Sequence, residues 1–524
     1  MARGEVDVLL RACQELMDFG DLPGAIGVLG RASLAHYYLS DARVPLELAL
    51  RMECADLTPA DSARLYAAQA RLVARLPLEP EVADTSFDIL PCWLPREDES
   101  RDLATRARSI PVDAGDAITR VIVEGAWRSV HRAPSFRGDT WQPRSGDAVR
   151  ITSAMEDPLH LDIAIDRLLW DAVDALECGY RFEYDRLMQE ARALAALGTL
   201  DHLQWWIRSC MVTRALNEGL PVDAMTLADE AADFARSRRI LGGPSVLSIQ
   251  RWFLDELRDN HSFGVEVGLT TRRRIDHPLT AACPALSMAR AGLTSLAAPW
   301  AEWIVEYLDS GSKESSWLAL VSISADLARL LIEADHPAGS SLAHAVLPHL
   351  HAHRHRVAID NRAVLTLGLV ARAGADLSVT LGDLDGAAQF CADAALLLER
   401  MGNPIIARTE VALAQARLAL AGREDPSEVL SVATSLASGP GLERLRSEAQ
   451  DLVATAALAT LPTVLTPRES QVLALLAQGW SNPDIAAELA YSRATIAKDV
   501  RRLYAKLAAG SREELQRIGA GVSA

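Results

Sequence analysis

Leu465 to Ile518 reads LTPRESQVLALLAQGWSNPDIAAELAYSRATIAKDVRRLYAKLAAGSREELQRI, and its punctuation is that of four short helices. Thr466-Pro467-Arg468-Glu469 is a capping box with proline at the first helical position, and Gly479 stops the helix it opens. Ser481-Asn482-Pro483-Asp484 starts a second helix through Leu489, Ser492 caps a third, and Ser511-Arg512-Glu513-Glu514 begins a fourth. In the third, Ile496, Val500, Leu503 and Leu507 recur at helical spacing and form one apolar face. Thr495, Ala497, Lys498, Arg501, Arg502 and Lys506 fall on its other sides. A second helix, a tight turn and a third helix with an exposed basic face is the helix-turn-helix plan for entering the major groove. Lys498 and Arg501, near the exposed N-terminal half of that helix, are expected at base edges. Arg502 and Lys506, further along, are expected at phosphates.

These residues resemble the LuxR-type helix-turn-helix of bacterial transcription regulators. The resemblance runs through Leu465 to Glu469, Val472-Leu473, Leu475 to Gly479, Ser481-Asn482, Ile485-Ala486, Leu489, Ser492, Thr495 and Tyr504-x-Lys506-Leu507. It implies promoter DNA as partner, contacted through Ser492, Arg493, Thr495, Ala497, Lys498, Arg501, Arg502 and Lys506. It also implies RNA polymerase as a partner, and a homodimer paired through Leu515 and Ile518 of the fourth helix. One departure stands out. The family usually reads Thr-Val-Lys near the start of its recognition helix, whereas here the stretch is Thr495-Ile496-Ala497-Lys498-Asp499. The lysine is displaced by one residue, about 100° around the helix. Asp499 could accept from a cytosine amino group or pair with Arg502. The operator therefore cannot be carried over from relatives.

Outside this tail the charge has the opposite sign. The chain has 524 residues, 53 basic and 70 acidic, for a net of −17. Residues 465–524 hold eight basic and six acidic residues, a net of +2, so the preceding 464 carry −19. Two of the three lysines, Lys498 and Lys506, lie in the tail; the third is Lys313. The acidic bulk repels nucleic acid, and a +2 tail offers few phosphate contacts. Two tails on half-sites about one helical turn apart would compensate, which also points to a homodimer.

The first 455 residues read as all-α, with apolar residues at three- and four-residue spacing. Gly20-x4-Ala25-x6-Ala32, Gly219-x4-Ala224-x6-Ala231 and Gly382-x4-Ala387-x6-Ala394 share one pattern. Gly179-x4-Tyr184-x6-Ala191 is an imperfect copy, and Gly422 a glycine without the alanines. Glycine ends one helix, and small alanines let the next approach closely. The expected architecture is a solenoid of helical hairpins repeating near 40 residues over 1–455, a linker at 456–464 and the four-helix reader at 465–524. An irregular bundle with coincidental spacing is the alternative. Leu381 to Ala387, continuing through Leu398 to Gly402, resembles the tetratricopeptide-type segments of large MalT-like LuxR-family regulators. That resemblance implies a region sensing a small molecule or protein effector.

Other chemistry is thinly supported. The seven cysteines are scattered and never in a Cys-x-x-Cys pair, which reads as reduced cytosolic thiols. Charged residues at the N-terminus oppose a signal peptide, and Leu452 to Pro467, the longest uncharged stretch, is too short to span a membrane, so a cytoplasmic location is expected. Gly311-Ser312-Lys313 lacks the leading glycine of a phosphate-binding loop. No doubly wound receiver domain precedes the tail. His344, His349, His351, His353 and His355 crowd one segment, yet a polar helix end is the stronger reading than a metal site. Trp205-Trp206 and Trp252-Phe253 fit inter-helix packing better than a ligand pocket. Residues 80–100 and 132–150, the latter with Arg137, Trp141 and Arg144, read as long loops, a lid being the alternative. No enzyme, cofactor or metal is expected. A protein-interaction scaffold, with a C-terminal domain that mainly dimerises, is the alternative function.

Overall fold

The computed structural model describes residues 4–35, 43–74, 97–131, 158–198, 200–238, 240, 243–271, 278–309, 316–360, 362–459, 465–507, 509 and 511–522. These residues are all-α, with twenty-five helices and one short antiparallel ribbon, Val357–Ile359 with Thr366–Leu369. The segments from 75 to 96 and 132 to 157, and Lys313, lie outside the described residues, so most of both expected loops does too.

The turns account for the repeat. Gly20, Gly179, Gly219 and Gly382 have φ between +76° and +82°, a region glycine enters without strain. At Gly219 its own N–H bonds Leu216 O at 3.0 Å and the next N–H bonds Ala215 O at 2.9 Å. The same pair of bonds closes the helices before Gly20, Gly179 and Gly382. The alanines behind the turns are buried as the spacing requires: Ala25, Ala32, Ala224, Ala231, Ala387 and Ala394 are at most 2% exposed. Gly422 departs from the expectation. Its φ is −76°, and Arg423 takes the left-handed position instead. Asp259, forty residues after Gly219, and Asp335 close two more such turns without glycine.

Successive helix pairs run from Pro158–Glu177 with Arg181–Ala195 to Ile405–Ala421 with Ser427–Leu436. Their earlier members fold back on the later ones. Arg181–Ala195 packs on Leu384–Met401, Asp201–Asn217 on Ile405–Ala421, and Gly243–Leu257 on Glu443–Ala459. The ribbon and its tip fill the space between. Trp206 Nε1 donates to Arg362 O at 3.0 Å, Thr213 Oγ1 to Ala363 O at 2.8 Å and Gln250 Nε2 to Val364 O at 2.8 Å. The Arg362 guanidinium lies 4.3 Å from the Trp206 ring centre. Side chains that a peptide ligand could have used are thus satisfied by the chain's own backbone. Trp205, Trp252 and Phe253 are buried beside them as packing residues.

A ladder of buried ion pairs crosses these helices. Arg290 meets Glu256 at 2.6 Å, and Arg372 pairs with both Asp326 and Asp376. Arg417 joins Asp376 at 2.9 Å to Glu448 at 2.6 Å, and Arg444 joins Glu448 to Glu410. Burial alone would raise the Glu256 carboxyl, but Arg290, His261 and Ser287 outweigh it and hold it down at about 2. The histidine segment disperses. His349 stands edge-on to Trp317, His351 packs on Phe390, and His355 lies 3.7 Å from Asp393. Among the described residues no group of three His, Cys, Asp or Glu is placed to hold a metal ion, and no helix is long and apolar enough to cross a membrane.

Candidate nucleic-acid interface

The tail builds a core of its own. Pro467–Ala477, Asn482–Glu488, Arg493–Lys506 and Arg512–Val522 enclose Val472, Leu473, Leu476, Ile485, Ile496, Val500, Leu503 and Leu515. Each expected cap is made. Thr466 Oγ1 accepts from Glu469 N while Thr466 N donates to Glu469 Oε2 at 2.8 Å, which completes the box. Ser481 accepts from Asp484 N and Ser492 from Thr495 N. Gly479, at φ +83°, ends the first helix with the same paired bonds seen in the repeats. Ala490 turns the chain between the second and third helices at φ +57°, an unusual conformation for an L side chain.

The third helix presents its basic side to solvent. Ile496, Asp499, Val500 and Leu503 form the buried seam. At 100° per residue the opposite meridian runs through Ala494, Arg501 and Ala505, with Lys498 and Ala497 beside it. Ala494, Lys498, Arg501, Arg502 and Ala505 are all exposed, as are Ser492 and Arg493, whereas Thr495 and Ala497 are half-buried. Arg501 Nε folds back to Ala497 O at 3.3 Å. Ala494 and Ala505 were missed in the sequence reading, although the helical wheel alone places them. Ala494 and Ala505 keep the two ends of that face low, with Arg501 between them and Lys498 beside it.

One expected alternative needs correction, and three other residues acquire partners within the domain. Asp499 is fully buried, with Arg468 Nε at 2.8 Å and Arg468 Nη2 at 3.1 Å from its two oxygens. Arg502, the partner expected from the sequence, also lies within ion-pair reach at 3.7 Å. Asp499 therefore anchors the third helix to the first and is turned away from any base. Lys506, expected at a phosphate, donates to Glu469 Oε2 at 2.7 Å. Burial would raise the Glu469 carboxyl, but this lysine and Thr466 outweigh it and hold the group at about 2. Leu515 has no exposed surface and Ile518 is half-buried against the same core, so they fasten the fourth helix to the first. A Cβ added to Gly519 would stand 2.7 Å from Leu473 O, which shows how closely those two helices approach. Arg512, not singled out from sequence, bonds Asn482 Oδ1 and Trp480 O and so fixes the start of the second helix.

An exposed basic helix, packed across a shorter one and pinned by buried ion pairs, defines a helix-turn-helix unit. Residues 463–518 match the family model of bacterial regulatory proteins of the luxR family, so the C-terminal domain is a LuxR-type helix-turn-helix. No curated protein matches the chain.

Proposed function

We propose that the chain is a cytoplasmic bacterial transcription regulator that binds promoter DNA as a homodimer. Arg493–Lys506 enters the major groove, and the helical region, tetratricopeptide-like in its hairpins, responds to an effector. Residues 1–455, 456–464 and 465–524 then act as sensor, joint and reader. The observation that carries this is the exposed face of Arg493, Lys498, Arg501 and Arg502 on a domain matching the luxR family. Lys498 and Arg501 read base edges, while Arg493 and Arg502 meet phosphates. Ser492 and Thr495 position the helix start, Ala497 clears the groove floor, and Lys506 supports the first helix. RNA polymerase is the second partner by family resemblance.

The helix Glu443–Ala459 packs on Arg512–Val522, which gives the helical region a direct mechanical route to the reader. Fragments of genomic DNA selected on the full chain, then titrated against salt, test the reading. Affinity should fall steeply with salt, and footprints should cover two half-sites in inverted repeat. Salt-insensitive binding, or none, would sink it. A footprint on one half-site at saturation would remove the homodimer alone.

A further inference from the structure

A cavity of 470 Å³ lies among the helices Leu22–Ala35, Pro59–Val73, Ala117–Val130 and Pro158–Glu177. That volume falls within the ~300–1,000 Å³ of small-molecule sites. Gly24, Gly27 and Gly30 recur every third residue along its wall; a Cβ at Gly24 would strike the Asp21 carboxylate that caps the helix. Glycine inside a helix is destabilising relative to alanine, so its presence calls for a reason in packing. At Gly264 and Gly374 the reason is plain, since a Cβ there would strike Ser287 or Phe390. At Gly30 a Cβ would meet nothing within 4 Å. The glycine keeps space open.

The remaining wall is largely apolar, and its polar members are Arg31, Arg64, Arg71, Ser33, His160 and Asp166. Each guanidinium is held in place but only partly used. Arg31 donates through Nε to Asp162, Arg71 through Nη2 to Asp166, and Arg64 through Nε to Thr119 and Nη2 to Asp116. A guanidinium has five N–H groups, so each retains donors. The Arg71 side chain is only 6% exposed. Each guanidinium thus already faces one carboxylate, and an anion entering the cavity would be held by the N–H groups left over.

We propose that this cavity binds an amphipathic organic anion. Its apolar body lies along the glycine face, and its carboxylate-type head is held by Arg31, Arg64 and Arg71. The inference rests on the effector reading above only for its consequence on DNA. Calorimetric titration of the full chain with decanoate, and with decanol as the neutral counterpart, tests the site itself. Decanoate should bind saturably, at least about tenfold tighter than decanol, a factor worth about 1.4 kcal/mol. Gly30→Leu fills the space and should abolish decanoate binding while the melting temperature holds or rises. Arg31→Gln should weaken decanoate about tenfold and leave decanol unchanged. Equal decanoate binding in wild type and Gly30→Leu overturns the proposal, as does decanol binding as tightly as decanoate, or no saturable binding of either. Promoter binding is read on the same proteins. Decanoate held through Gly30, with DNA affinity indifferent to it, sustains the site and sinks its role in control.

Discussion

The reader domain and the helical region satisfy their polar groups over different ranges of sequence. In the reader most polar bonds close within three residues: Thr466 to Glu469, Ser481 to Asp484, Ser492 to Thr495. Arg468 to Asp499, Lys506 to Glu469, and Arg512 to Asn482 and Trp480 reach further. In the helical region several ion pairs join helices far apart in the chain, such as Arg356 to Glu177 and Arg71 to Asp166. Short-range closure leaves a readable sequence signature. Long-range closure depends on which helices become neighbours, and a single sequence is silent on that.

The contrast is best broken at the ladder. Arg372→Ala leaves Asp326 and Asp376 buried without their shared cation. The expected loss is about 3–5 kcal/mol in the helical region. The reader, with its own core, should still bind DNA. Denaturant unfolding monitored by circular dichroism checks the first part and gel-shift titration the second. Loss of both would mean that the two regions fold as one unit.

Acid should expose the ladder next. The Glu256 carboxyl falls from its ordinary 4.5 to about 2, which at 1.36 kcal/mol per unit contributes about 3 kcal/mol. A depressed carboxyl stabilises the fold above its unfolded value. That stability should be complete above about pH 4.5 and lost progressively as pH falls towards 2. Glu256→Gln should flatten the dependence in that window, as read by melting temperature against pH.

Within the reader, Lys498 and Lys506 separate recognition from support. Lys498→Ala should weaken the preferred site by about 1–3 kcal/mol and relax base preference, with no change in melting temperature. Lys506→Ala should instead lower the melting temperature and alter affinity little. Gel-shift competition and thermal unfolding distinguish the two, and the reverse pattern would exchange their roles. The smallest effect is expected at Ala490→Gly. Relief of the left-handed turn outweighs the added chain entropy and should stabilise the reader by about 0.5–1 kcal/mol.

The all-α class, the four reader helices and most of the repeat turns were legible in the sequence, because caps, glycines and apolar spacing act within a few residues. The sequence also placed Arg493, Lys498, Arg501 and Arg502 outside the apolar seam, since helical periodicity needs no tertiary information. It could not show that Asp259, Asp335 and Arg423 would take over the glycine's role in three turns, because their left-handed conformation is imposed by the helices on either side. Only the tertiary structure decided that Arg468 takes Asp499 inward, that Lys506 serves Glu469, and that Leu515 belongs to the core. It also decided that the tip at Arg362 to Val364 fills the groove between the hairpins. Each of these depends on a contact between elements tens to hundreds of residues apart, and such contacts exist only once the helices have packed.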